Sequence, residues 1–120
     1  MDRIAIDEPT LRGEDGTLAV LERHLAAFAA GIDAVLADYA EHSVLITPNA
    51  TYHGLGAIRA FFTQFFEVAT PEFWSAFRVT VKSVHGKVAF LAWTAPPLFP
   101  SAVDTLLIED DCILVQTFVG

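Results

Sequence analysis

Leu18, Leu21, Leu25 and Phe28 recur at spacings of three and four, the repeat of an amphipathic helix. The pattern predicts a helix from Thr17, capped by Thr17 or Asp15, to Gly31, which suits a left-handed helix end. Asp33 caps a short second helix, from Ala34 to about Tyr39. "SVLIT" then reads as a strand closed by Pro48, with "ATYH" as its hairpin return. A third helix is expected from about Leu55 to Ala69, ended by Pro71. Its apolar positions Ile58, Phe61, Phe62, Phe65 and Phe66 cover a broad face.

The second half changes period. In "FWSAFRVTVKSV" Phe77, Val79 and Val81 alternate with Arg78, Thr80 and Lys82, a strand repeat. A turn at His85-Gly86, "KVAFLAWTA", a "PPLFP" break, "AVDTLLIED" and "CILVQTFVG" complete the chain. The last three strands are apolar on both faces, which a sheet with one wet face would not tolerate. Helices first and a strand meander afterwards predict an α+β fold, with helices on one face of an antiparallel sheet and a partner on the other.

Composition sharpens this picture. The chain has 120 residues, 53% of them hydrophobic, with a mean hydropathy of +0.46. One domain of residues 14–120 behind a polar arm of residues 1–13 is expected. No apolar run reaches the ~18 residues of a membrane span, so the excess points to a lined cavity, a subunit interface, or both. A net charge of −8 argues against nucleic acid, whose binders present basic patches. The acidic start "MDRIAIDEPT" lacks a secretory pattern, which makes the cytoplasm the expected location. A single Cys112 allows no internal disulfide.

The order helix, Ala-Gly, Asp, helix, "YAEHSV", strand, Pro, "YHG", "AIRAFF" resembles the nuclear transport factor 2-like superfamily, its SnoaL-like and ketosteroid isomerase-like branches above all. The resemblance covers about residues 17–120. It implies a cone, a curved sheet wrapped on about three helices around an apolar pocket, often paired into a homodimer through the outer sheet face. Outward positions would be Leu91, Trp93, Thr105, Leu107, Gln116 and Phe118. This fold hosts isomerases, cyclases, dehydratases, hydrolases and plain binders, so the reaction does not follow from it.

Site residues carry over one at a time. The isomerase branch places a carboxylate base at the end of the first strand; here Thr47 stands there, before Pro48. Threonine does not abstract a carbon-bound proton at neutral pH, which speaks against ketosteroid isomerisation by that route. The oxyanion-stabilising acid of the penultimate strand matches Asp104, and the resemblance to other branches, polyketide cyclases among them, implies an acid on this part of the sheet that serves as a base. Leu106 and Ile108 share its face, where desolvation raises a carboxyl. A pocket tyrosine on the first helix corresponds to His24 counted from Gly31, or to Arg23 counted from Asp33; helical phase favours His24.

Phe28, Tyr39, Thr47, Phe61, Phe65, Phe90, Ala92, Leu106 and Val115 are the expected pocket wall. His42 is expected to be exposed, His53 to sit near the pocket mouth and His85 to lie in a hairpin. No histidine has metal-site spacing or an evident carboxylate partner. No nucleophile elbow or phosphate loop is present, so cofactor-free chemistry, or none, is expected. Three readings follow: a cofactor-independent isomerase, cyclase or lyase acting on an apolar carbonyl compound through Asp104 and His24; a non-catalytic binder; or a dimeric adaptor. The distance from His24 to Asp104 separates them.

Overall fold

The structure, a computed structural model, describes residues 8–120, with side chains from residue 14 onwards. Helix α1 (Glu8–Ala27) starts ahead of the expected cap at Thr17, so part of the expected arm is helical. Residues 1–7 lie outside the described residues. Thr17 instead donates its hydroxyl to Gly86 O at 2.8 Å, tying α1 to a hairpin turn. Gly31, at φ 109°, makes the left-handed break before α2 (Ile32–Leu36), a conformation that costs glycine little. Among the described residues no helix is long and apolar enough to cross a membrane.

Strand β1 (Tyr39–Ile46) begins earlier than expected, which puts Tyr39 at its start and not on a helix. It turns into β2 (Thr51–His53), and α3 (Gly54–Val68) follows directly. Pro71 does not simply end this helix. With Thr70 Oγ1 accepting from the Phe73 amide, it starts a fourth helix, α4 (Pro71–Ala76), where proline's missing N–H is no loss. The strand expected over "FWSAF" is therefore helical in its first part. The remaining strands are β3 (Arg78–His85), β4 (Val88–Ala95), β5 (Phe99–Glu109) and β6 (Cys112–Val119). Asp110 and Asp111 both take positive φ in the tight β5–β6 turn, the backbone of a two-residue hairpin.

The six strands form one sheet in the order β2-β1-β6-β5-β4-β3. It is mixed and not wholly antiparallel: β1 runs parallel to β6, and every other pairing is antiparallel. The helices pack on the concave face. One core cluster joins Val20, Leu21, Leu45, Ile58, Phe62, Leu106 and Ile113. A second gathers Phe73, Leu91, Trp93, Ala95 and Ala102 under α4. Leu25 and Phe65 pack against both clusters.

Register decides which residues face inwards. Leu91 is paired with Asp104, and Asp104 with Phe118, while Leu106 is paired with Gln116. These side chains and Trp93 lie on the concave face. The expected phase of β4 and β6 is thus inverted: Phe90, Ala92 and Val115 point outwards, and Leu91, Trp93, Gln116 and Phe118 point inwards. The phase of β5, with Asp104, Leu106 and Ile108 inwards, agrees with expectation.

Candidate functional site

A cavity of about 80 Å³ lies between the two clusters. Its wall is aromatic: Phe28, Phe61, Phe62, Phe65, Trp74, Phe77, Trp93 and Phe118, completed by Leu21, Leu25, Leu91 and Leu106. Three polar side chains reach it, His24 from α1, Asp104 from β5 and Gln116 from β6. Each projects from an otherwise apolar face because the period of its element puts it there, not because the cavity lacks apolar alternatives.

Of the expected wall, Phe28, Phe61, Phe65 and Leu106 are in place. Phe90, Ala92 and Val115 lie across the sheet. Thr47 is also misplaced: its hydroxyl closes the β1–β2 turn, donating to Ala50 O and accepting from the Asn49 and Ala50 amides. Tyr39 is buried behind the wall and acts there as a polar link. His42, His53 and His85 are exposed.

His24 and Asp104 do not touch. They are the ends of a longer chain of side chains that begins at Asp38, a residue not expected in the site. Asp38 is 2% exposed and accepts from Arg23 Nε at 2.6 Å through Oδ1 and from His24 Nδ1 at 3.0 Å through Oδ2. Tyr39 Oη lies 3.3 Å from His24 Nε2 and bonds Gln116 Oε1 on its other side. Gln116 Nε2 then donates to Asp104 Oδ2 at 3.1 Å. Arg23, the alternative to His24, reaches from the surface to clamp both Asp38 and the Asp111 turn. Asp38 and Gln116 carried no sequence signal of this role, since the link from His24 to Asp38 spans 14 residues and that from Tyr39 to Gln116 spans 77.

The electrostatics differ along this chain. Burial would raise the Asp38 carboxyl, but hydrogen bonds from His24 and Arg23 outweigh it and hold the group below its ordinary value. Burial, helped by the charges of Asp104 and Asp38, pushes the Tyr39 hydroxyl well above its ordinary range. Burial also pushes Asp104 from 3.8 up to about 7, against the weaker opposing effect of the Trp93 and Gln116 side chains. Asp104 Oδ1 is buried and has no hydrogen-bond partner among the described residues. Such an atom is costly to a fold. A carboxyl poised near neutrality can either donate or take up a proton.

By sequence the chain matches neither a family profile nor a curated protein. Solved structures match it well in shape. An NTF2-like protein of unknown function from Burkholderia xenovorans LB400 is 17% identical, with a TM-score of 0.70 over 88% of this chain and 83% of its own. A Sinorhizobium meliloti protein provisionally named a polyketide cyclase is 16% identical, with a TM-score of 0.68 over 83% and 93%. A protein of the SnoaL-like family from Agrobacterium tumefaciens is 16% identical, with a TM-score of 0.61 over 88% and 97%. The chain has the nuclear transport factor 2-like fold, a cone of helices on a curved sheet closed around one aromatic cavity.

Proposed function

We propose that the cavity binds a small apolar molecule by a carbonyl or hydroxyl end and that Asp104 serves as acid or base in a cofactor-independent isomerisation, cyclisation or elimination. The observation that carries this reading is the Asp104 carboxyl: it lines the cavity, is raised to about 7, and leaves Oδ1 without a partner. The provisional naming of the Sinorhizobium meliloti neighbour as a cyclase agrees with it. Size limits the ligand. About 80 Å³ is well below the ~150 Å³ of an apolar cavity that admits benzene, so larger ligands require the phenylalanine walls to turn.

The test is a panel of small cyclic and aromatic ketones, with binding and turnover measured on the wild type and Asp104→Asn. Turnover should fall ~10²–10⁴-fold in the variant, as when a positioned acid–base group is lost. Turnover that survives the change would remove Asp104 from the chemistry. A β,γ-unsaturated ketosteroid should stay at background, because Thr47 stands outside the cavity and ligands of that size occupy ~300 Å³ or more.

A second reading, a binder without turnover, is favoured by one observation: among the described residues Asp104 is the only carboxylate in the wall. Affinity for a ketone without any product would support it. In either case we propose that the convex sheet face pairs with a second copy. Val81, Val88, Phe90 and Val119 are exposed there, together with Ile46 of β1.

A further inference from the structure

The chain from Asp38 to Asp104 has more acceptors than protons, and counting them ties its two ends together. Asp38 is clamped as a carboxylate by Arg23 and only accepts, so His24 Nδ1 carries a hydrogen. Tyr39 owns one proton and has two neighbours that can take it, His24 Nε2 and the Gln116 carbonyl. If Gln116 takes it, the Tyr39 oxygen must accept from His24, which then holds hydrogens on both ring nitrogens. The Gln116 amide N–H is left for Asp104 Oδ2, an arrangement suited to an ionised carboxylate.

The other arrangement reverses every bond from His24 Nε2 to Asp104. A neutral His24 accepts from Tyr39, and Gln116 turns its amide N–H to the tyrosine oxygen. Its carbonyl then faces Asp104, which must hold a proton to fill that junction. A neutral His24 beside an ionised Asp104 fits neither orientation, because one junction inside the core would contain two acceptors and no hydrogen. The doubly loaded state, with a proton on His24 and another on Asp104 Oδ1, satisfies the chain.

We infer that the five side chains from Asp38 to Asp104 retain at least one exchangeable proton, lodged on His24 or on Asp104, so that Asp104 is ionised only while His24 is doubly protonated. Tyr39, behind the wall, and Gln116, whose amide is engaged by both neighbours, act as positioning residues in this scheme: they set which form of Asp104 a ligand meets. A ligand acceptor that takes a hydrogen bond from Asp104 selects the doubly loaded state, with the proton on Oδ1, because in the reversed arrangement that proton fills the Gln116 junction. A ligand that gives up a proton needs Asp104 ionised, and the charge on His24 then keeps that form available.

The groups facing the bridge are few. Asp38 on the α2–β1 connection, Arg23 on α1 and Asp111 in the β5–β6 turn lie at the His24 end. Phe28 and Phe62 flank the His24 ring. On the Asp104 side the cross-strand neighbours Leu91 and Phe118 are apolar, and the Trp93 indole adds a neutral N–H donor. Tyr39 keeps its hydroxyl proton throughout, since burial strongly disfavours its anion.

Nuclear magnetic resonance of the ligand-free, full-length protein tests this, with ¹⁵N-labelled histidine and ¹³C-labelled aspartate read in one sample across a pH series. The test needs no ligand, so it stands apart from the proposed activity. Wherever the fold is intact, His24 Nε2 or Asp104 should still show a bound proton. Gln116→Leu cuts the bridge, and a state with both ends deprotonated should then appear at alkaline pH. Tyr39→Phe, which removes one oxygen, should do the same and covers the case in which Gln116→Leu fails to fold. A folded wild type with both ends deprotonated would overturn the inference, as would a Tyr39→Phe protein that titrates like the wild type.

Discussion

Asp38 and Asp104 are two carboxylates at opposite ends of one hydrogen-bonded chain, and the structure treats them oppositely. Asp38 has a donor on each oxygen, the Arg23 guanidinium on Oδ1 and the His24 ring on Oδ2, and sits below its ordinary value. Asp104 has only neutral donors nearby, the Gln116 amide on Oδ2 and the Trp93 indole, leaves Oδ1 without a hydrogen-bond partner among the described residues, and sits near 7. Burial alone does not decide where an acid titrates. Its hydrogen bonds do, and the under-bonded acid is the one that carries a cost in stability.

The largest effect should come from breaking the satisfied end. Asp38→Asn leaves Arg23 and the His24 ring without their carboxylate; because Arg23 is half-exposed, the loss should fall at the lower end of the about 3–5 kcal/mol that breaking a buried pair costs. Denaturant titration at pH 7 should show that loss. The sign of the pH dependence follows from the lowered Asp38 value. Its contribution is full above about 3.8 and disappears as acid protonates it below that point, so the wild type and the variant should converge in strong acid.

The under-bonded end should behave in reverse. A carboxyl raised from 3.8 to about 7 penalises the native state by up to about 4 kcal/mol once it is ionised. Below 3.8 both folded and unfolded chains are protonated and the penalty vanishes; it accumulates up to about pH 7 and is constant beyond. Asp104→Asn should therefore match the wild type at pH 4 and exceed it in melting temperature at pH 8. Equal stability at both pH values would mean that Asp104 is solvated and no different from a surface acid.

The smallest effect on the fold is expected on the convex face. Leu107 lies at its centre, paired with Val88 and Val115. Leu107→Lys should change monomer stability by no more than about 0.5 kcal/mol, while sedimentation shifts from two subunits to one. A wild type that sediments as a monomer would remove the proposed pairing.

Some of this was legible in the sequence. The stripes of α1 and α3 identified the helices and the inward aim of His24, and alternation in β5 placed Asp104 with Leu106. Strand β4 defeated the same method because Val88, Phe90 and Ala92 are as apolar as Ala89, Leu91 and Trp93; periodicity cannot choose between two apolar faces. In β6 the inward polar Gln116 misled, and a register irregularity between Leu107 and Ile108 shifts the phase. Thr70-Pro71-Glu72 did carry a helix-start signal, obscured by the alternating residues that follow. Asp38 was invisible as a partner because only the parallel docking of distant segments brings the chain together.

That docking has a consequence for the order in which the protein assembles. Strand β1 lies beside β6 across the middle of the sheet, with Ile113 N donating to Asp38 O at 2.7 Å and Ser43 Oγ to Ile113 O at 2.6 Å. The β4–β5–β6 meander forms from neighbours in sequence, whereas this seam closes a loop of about seventy residues, a contact that pays its entropy before any reward. The seam should thus zip late in refolding, and amide exchange at Ile113 should become protected after that at Leu106. His24, Asp38 and Tyr39 lie on one side of the seam, Asp104 and Gln116 on the other. Until the strands meet, the protein can hold most of its sheet and none of the Asp38-to-Asp104 chain.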